Sequence, residues 1–199
     1  MILTKSFLRE QARKKNIYES DFQRSHIINE NLELAHSYYV DYAKKEKRYD
    51  IFLSHSSLDK ELVLALVALF NDAKFSVYVD WIEDRQLDRS NVNKDTAETL
   101  RSRMNTSTGL AYVSTTNVIN SKWCPWELGY FDGKKNSRCC ILPVMENNTF
   151  NGQEYLGLYP HMEYEPTIGG IYNFYVCDPD TNEKVKLADW LRGENPGNH

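Results

Sequence analysis

The stretch SKWCPWELGYFDG, residues 121 to 133, combines side chains that could do chemistry. If a helix begins near Ser121, that hydroxyl can cap it, and Pro125 falls in the first turn, where its missing N–H does little harm. Trp123 and Glu127 then lie four residues apart on one face of the helix. Partial burial would raise the pKa of the Glu127 carboxyl, and the indole offers a flat surface on which a heterocycle can stack. The stretch therefore predicts a carboxylate that acts beside an aromatic surface.

A purely structural interpretation of the same helix is also open. Its aromatic side chains would then form core: Trp123, Trp126 and Phe131. Glu127 would be solvated and would pair with Lys122 or Lys134. The two interpretations differ in whether Glu127 is exposed.

Short apolar runs alternate with helical stretches from Tyr49 onward, which is the pattern of a parallel sheet covered by helices on both faces. The predicted strands are residues 49–55, 75–80, 108–114, 139–144 and 170–178. The predicted helices are residues 56–73, residues 93–105, one from about Ser121 and one that ends at Gly193. We expect an α/β, flavodoxin-like fold with a five-stranded parallel sheet, and an irregular connection over residues 145–170.

Ligands of such sheets bind at the carboxyl ends of the strands, so the loops after Ser54, Val79 and Ser114 are candidate sites. The first two loops carry these polar and aromatic groups: Ser54, His55, Ser56, Asp80, Trp81, Glu83, Asp84, Arg85 and Arg89. Structural roles are equally open, because the serines could cap the following helix, His55 could lie at the surface and the acidic loop could be solvated.

Residues 1–48 differ in character from the remainder, being charged and free of proline. Apolar residues with helical spacing run through the segment: Ile28, Leu32, Ala35, Tyr39 and Tyr42. We therefore divide the chain into an N-terminal helical extension, 1–48, and a main domain, 49–199. The stripe could pack on its own domain or contact a second subunit, and both remain open.

The composition argues against several classes of function. With a net charge of −4 in 199 residues, the chain has no basic surface for nucleic acid. The N-terminal segment lacks the apolar run of a signal peptide, and no window is long and apolar enough for a membrane helix. We expect a cytoplasmic protein that binds neither nucleic acid nor membrane.

Metal and nucleotide motifs are also absent from the sequence. The four cysteines show no CxxC spacing, and the five histidines are scattered, so we expect reduced thiols and no metal. DPDTNE, residues 178–183, resembles a calcium loop but has Glu183 where the turn needs glycine. Because GxxxxGK[ST] and GxGxxG are both missing, we expect no bound nucleotide cofactor.

Three segments in order, YDIFLSHSSLDKE, SVYVDW and SKWCPWELGYFDG, resemble the Toll/interleukin-1 receptor (TIR) domain, especially its bacterial members. The resemblance covers roughly residues 49–190. Trp123 and Glu127 match the family's WxxxE pattern, and residues 81–93 correspond to the flexible loop after its second strand.

The resemblance implies an enzyme that cleaves NAD⁺ as a substrate, with Glu127 catalytic and Trp123 shaping the pocket. It further implies that the substrate contacts the groups after the first two strands: Ser54, His55, Ser56, Asp80, Trp81, Asp84 and Arg85. This agrees with the chemistry, because nicotinamide leaves as a neutral molecule and one carboxylate suffices to offset an oxocarbenium-like charge.

Similarity to the TIR NADases and cyclases of Thoeris-type anti-phage defence implies a setting as well. The product would be a cyclic ADP-ribose isomer that acts on a separate effector, made after a phage-derived trigger by a protein that self-associates through TIR surfaces. Two alternatives are a non-catalytic TIR interaction module and a nucleoside N-glycosidase or deoxyribosyltransferase.

Overall fold

The computed structural model describes residues 1–15, 47–84, 87, 92–134, 138–146 and 154–197, which form an α/β sandwich around one mixed sheet. Its strands are β1 (Leu3–Thr4), β2 (Tyr49–Ser54), β3 (Val77–Tyr78), β4 (Ser107–Ser114), β5 (Cys139–Met145), β6 (His161–Pro166), β7 (Tyr172–Cys177) and β8 (Lys184–Lys186). The order is β3-β2-β4-β5-β6-β7-β8, with β1 paired to β5. Pairs from β3 to β6 are parallel, whereas β7 and β8 are antiparallel.

The four helices predicted in the main domain are present, close to their predicted positions. The described helices are α1 (Lys5–Lys14), α2 (Lys60–Asp72), α3 (Asp80–Glu83), α4 (Lys94–Asn105), α5 (Trp123–Lys134) and α6 (Leu187–Arg192). Short 3₁₀ turns occupy Ser57–Asp59, Val118–Asn120 and Glu154–Leu158. As predicted, α6 ends at Gly193, whose φ of 120° suits glycine. None of the described helices is long and apolar enough to cross a bilayer.

Two hydrophobic clusters cover the two faces of the sheet, because successive side chains of a strand point to opposite sides. On β2, Ile51 and Leu53 face the cluster formed with α1 and α2. Phe52 faces the other cluster, formed with α4 and α5. Each fully buried side chain of this kind contributes roughly 1.5–3 kcal/mol, so the carboxyl end of β2 is held firmly from both sides.

The fifth parallel strand differs from the prediction. The strand predicted at residues 170–178 exists as β7, but it runs antiparallel, and the fifth parallel position belongs to β6. β6 lies within the segment predicted to be irregular. Its apolar residues Met162 and Tyr164 are buried, while His161, Glu163 and Glu165 alternate with them and are only partly buried. Such a half-exposed strand lacks the continuous apolar run that identifies the central strands.

The first fifteen residues are part of the main sheet and core. β1 pairs in parallel with β5, and the Met1 carbonyl accepts a hydrogen bond from the N–H of Tyr164 at 3.1 Å. Leu3, Leu8 and Ala12 are buried in the cluster on the α2 side. The predicted apolar stripe from Ile28 to Tyr42 lies outside the described residues.

Candidate functional site

Glu127 is fully buried between α5 and the carboxyl end of β2. The Ser121 hydroxyl accepts from the N–H of Cys124 at 3.2 Å, so it caps α5 as predicted. Ser54 lies on the same face of β2 as Phe52, the face that α5 covers. Its hydroxyl donates to Glu127 Oε2 at 2.5 Å, and Glu127 is 0% exposed. The interpretation of Glu127 as a solvated residue is therefore wrong.

Trp123, one turn before Glu127, is buried within an aromatic row along α5. Its ring meets that of Trp126 edge-on, with centroids 5.5 Å apart, and Trp126 stacks on Tyr130 at 5.6 Å. The guanidinium of Arg101, on α4, lies 5.4 Å from the Trp126 ring. The row thus places indole rings next to a cation, which suits ligands that carry both a ring and a negative charge.

His55 is a buried residue that holds Trp81, and the alternative of a surface histidine is wrong. Its Nδ1 lies 2.7 Å from the Leu53 carbonyl oxygen, and its Nε2 accepts from Trp81 Nε1 at 3.0 Å. The carbonyl can only accept and the indole N–H can only donate, so we assign the neutral tautomer protonated at Nδ1. Asp80, also buried, brings Oδ1 to 3.4 Å from the same Nε2. The structure thus places three of the predicted site residues side by side, with His55 hydrogen-bonded to Trp81.

Ser56 caps the 3₁₀ turn before α2, and its contact with a substrate stays a prediction. Its hydroxyl accepts from the N–H of Leu58 at 3.3 Å. Asp59, which the sequence analysis did not select, accepts from Thr115 Oγ1 and from Asn117 Nδ2, both at 2.6 Å. Asp59 therefore ties the loop after β2 to the loop after β4. Only its position in the first turn of a helix marks it in the sequence.

Asp84 is buried in an ion pair with Arg103. Both carboxylate oxygens are bound by Arg103, at 2.8 and 2.7 Å, and Tyr78 donates to one of them at 2.9 Å. Burial opposes the charge of Arg103, but the Asp84 carboxylate outweighs it and raises the guanidinium's pKa. Asp84 and Arg103 are both buried. Both oxygens of Asp84 already have donors, and its contact with a substrate stays a prediction.

Of the remaining charged residues after β3, the structure describes Glu83 but neither arginine. Glu83 binds the Lys47 ammonium and accepts from the Tyr49 hydroxyl at 2.9 Å. Arg85 and Arg89 lie outside the described residues. The structure therefore brings together the predicted residues of β2, α3 and α5, whereas Asp84, which follows α3, pairs with Arg103.

Two cavities open on either side of the start of α5. The smaller, of about 300 Å³, is lined by His55, Ser56, Ser57, Leu58, Asn117, Asn120, Ser121, Lys122 and Trp123. The larger, of about 400 Å³, is lined by Val92, Asn93, Lys94, Ala97, Arg101, Lys122, Trp123 and Trp126. Lys122 and Trp123 line both, and Glu127 lines neither. The larger cavity, with three basic groups and two indoles, has the character of a site for an anionic, ring-bearing molecule.

Comparisons with known proteins identify the family of this chain. A family model described as the TIR domain matches residues 51–165. The chain is 42% identical over 186 residues, which span 89% of it and 93% of the relative, to the Bacillus cereus (strain MSX-D12) protein named "Probable 3' cyclic ADP-D-ribose synthase ThsB'". It is 32% identical over 99 residues to TIR2 of Cytobacillus dafuensis, a cyclic ADP-D-ribose synthase by its provisional name. That match spans 49% of this chain and 26% of the relative.

Among solved structures, the TIR domain of the Toll-related receptor TRR-2 from Hydra magnipapillata aligns with a TM-score of 0.41 and 18% identity. The alignment covers 54% of this chain and 78% of that chain. The family model itself spans more than half of the 199 residues and includes both Trp123 and Glu127. This chain belongs to the TIR domain family.

Proposed function

We propose that the protein cleaves NAD⁺ at the bond between nicotinamide and ribose. The ADP-ribose part is then cyclised to one of the isomers of cyclic ADP-ribose, which serves as an anti-phage signal. The observation that carries this proposal is the buried pair of Glu127 and Ser54 at the carboxyl end of β2. The name of the Bacillus cereus relative supports cyclisation as the outcome.

Cleavage of the nicotinamide–ribose bond requires one correctly oriented carboxylate from the protein. When the C1–N bond breaks, its electron pair goes to the nicotinamide nitrogen, which becomes neutral, and positive charge develops on the ribose. Glu127 would offset that charge in a site sheltered from water, where electrostatic stabilisation is strong. A hydroxyl of the adenosine ribose then bonds to C1 and loses its proton to solvent. If water attacks instead, the product is linear ADP-ribose.

The cavities beside Trp123 suggest how the rest of the substrate is held. Lys122 lies between the two cavities and would face the pyrophosphate, while Trp123 would stack on a ring and fold the adenosine end back toward C1. Since Glu127 is fully buried, the substrate must displace side chains to reach it. Trp123, which lines both cavities one turn away, is our candidate for that movement.

The other residues take supporting roles in this proposal. Ser54 orients the carboxylate, and His55 holds Trp81, with Asp80 beside it, next to the entrance of the smaller cavity. Arg85 remains a proposed contact for the pyrophosphate, and Ser56 shapes the smaller cavity while it caps the turn.

The cellular setting is proposed on the basis of the relatives. The protein would act in the cytoplasm, respond to a phage-derived trigger, associate through TIR surfaces and supply its product to a separate effector. We keep the division at residue 49 as a proposal, with β1 and α1 packed against the TIR core.

Product analysis by liquid chromatography and mass spectrometry tests the proposal, using NAD⁺ and concentrated protein or protein from infected cells. Wild type should release nicotinamide and a cyclic ADP-ribose, and Glu127→Gln should release neither. Glu61→Gln, at an exposed position of α2 that lines neither cavity, is the matched control and should behave as wild type. Intact NAD⁺ with folded protein under both conditions would instead favour an interaction module, and cleavage of free nucleosides would favour an N-glycosidase.

A further inference from the structure

Three side chains with different ligand atoms meet on the antiparallel ladder of β6 and β7, away from the proposed catalytic site. His161 lies directly opposite Cys177 in the register, and Glu163 follows two residues later on the same face of β6. One ring nitrogen of His161, a Glu163 carboxylate oxygen and Cys177 Sγ all lie within 4.8 Å of one another. His161 Nε2 is 3.5 Å from Glu163 Oε1.

Cys177 differs from the other three cysteines in its bonding. The thiols of Cys124, Cys139 and Cys140 each donate to a backbone carbonyl, but that of Cys177 makes no hydrogen bond with the described residues. It is only 4% exposed. Burial, with the nearby charge of Glu163, raises the pKa of the Cys177 thiol to about 12. The side chain is therefore a buried polar group whose sulfur faces two metal-ligating side chains.

We propose that His161, Glu163 and Cys177 bind a borderline divalent cation of the zinc class. Tetrahedral zinc sites, with metal–ligand distances of about 2.0–2.3 Å, separate their ligand atoms by roughly 3.3–3.8 Å. The separation of His161 and Glu163 already falls in that range, and the Cys177 sulfur lies within 4.8 Å of both ligand atoms. The side chains of His161 and Glu163 are 25% and 20% exposed, so water can reach the fourth position.

The types of the three ligand atoms determine which metal ions bind most tightly. A thiolate and an imidazole favour zinc or cobalt over magnesium or calcium, which prefer oxygen ligands. Binding breaks the S–H bond of Cys177, forms the sulfur–metal bond and releases the proton to solvent.

The surrounding charges leave the inner carboxylate oxygen accessible to the metal. The N-terminal ammonium of Met1 lies 3.2 Å from Glu163 Oε2, the other oxygen of that carboxylate. Lys184 pairs with Glu165 instead, at 2.5 Å. Glu163 can therefore give Oε1 to the metal while Oε2 keeps its partner.

Cobalt spectroscopy on the full chain tests the site independently of NAD⁺ turnover. Titration with Co²⁺ should produce the near-ultraviolet band of a sulfur-to-cobalt charge transfer, together with visible bands of a tetrahedral ion. Cys177→Ser should abolish the ultraviolet band. His161→Gln, at a partly exposed position that should fold normally, should weaken binding at least about tenfold. Glu98→Gln, at an exposed position of α4, is the control and should bind within about threefold of wild type.

Several results would overturn the proposal. Folded wild type without the ultraviolet band, or Cys177→Ser that retains it, excludes the thiolate ligand. If Cys177→Ser fails to fold, His161→Gln decides the matter, because unchanged cobalt affinity in that variant contradicts the site. Loss of NAD⁺ cleavage in Glu127→Gln has no bearing on these spectra, so the two proposals can fail separately.

Discussion

Substitution of Ser54 by alanine removes the hydroxyl that holds the buried Glu127 carboxylate. A hydrogen bond to a charged group contributes about 1.5–3 kcal/mol. If all of that free energy serves to keep Glu127 in its reacting orientation, kcat should fall by about 10- to 150-fold, since each 1.36 kcal/mol corresponds to a factor of ten. Because Ser54 is 0% exposed and lines neither cavity, KM should change little.

The assay is initial-rate nicotinamide release over a range of NAD⁺ concentrations, with a thermal melt of each variant. Ser107→Ala is the matched control, because Ser107 is equally buried and donates to the Arg103 carbonyl at 2.8 Å, outside the proposed site. It should lose about 0.5–1.5 kcal/mol of stability, as expected for a bond to a neutral carbonyl, and keep its kcat. A folded Ser54→Ala protein with wild-type kcat would refute the argument, and so would an equal loss of kcat in both variants.

Three further predictions concern product choice, stability and pH. Trp123→Ala should raise the share of linear ADP-ribose among the products, measured by mass spectrometry, because the ring that folds the substrate is gone and water can enter; an unchanged ratio would exclude that role. Arg103→Met should lower the free energy of unfolding by about 3–5 kcal/mol in denaturant titrations, since it leaves the Asp84 charge buried without its bidentate partner; a loss below about 1 kcal/mol would contradict a tight pair. Lys184 and the N-terminal ammonium lower the pKa of Glu165 to about 2 from 4.5, so their stabilising effect is present above pH 4.5 and is lost as pH falls toward 2. Lys184→Met should therefore lower stability at pH 7 by less than about 1 kcal/mol, given the exposure of the pair, and this effect should disappear below pH 2.

Local patterns predicted the elements that carry the proposed site. The continuous apolar runs of β2, β4 and β5 identify buried parallel strands, because both faces of such strands are covered. The Ser121 cap and the position of Pro125 predicted the start of α5, since capping depends on neighbouring residues only. The predictions failed at β6, where one face is solvated and glutamates interrupt the apolar pattern.

The partners of each polar residue depend on distant parts of the chain. Asp80 and Asp84 occupy one acidic segment, yet one lies beside His55 and the other in a bidentate pair with Arg103, which is 19 residues further along. No short-range pattern distinguishes them, because helix packing and strand register decide which side chain each carboxylate meets.

The sequence by itself determined the α/β class, the central strands, and the presence of Trp123 and Glu127 on one face of a helix. Those features follow from periodicity and capping, which act over a few residues. Only the tertiary structure decided that Glu127 is buried against Ser54, and that His161 and Cys177 stand opposite each other. Both contacts join residues far apart in the chain, and the packing of α5 on β2 and the antiparallel register of β6 and β7 create them.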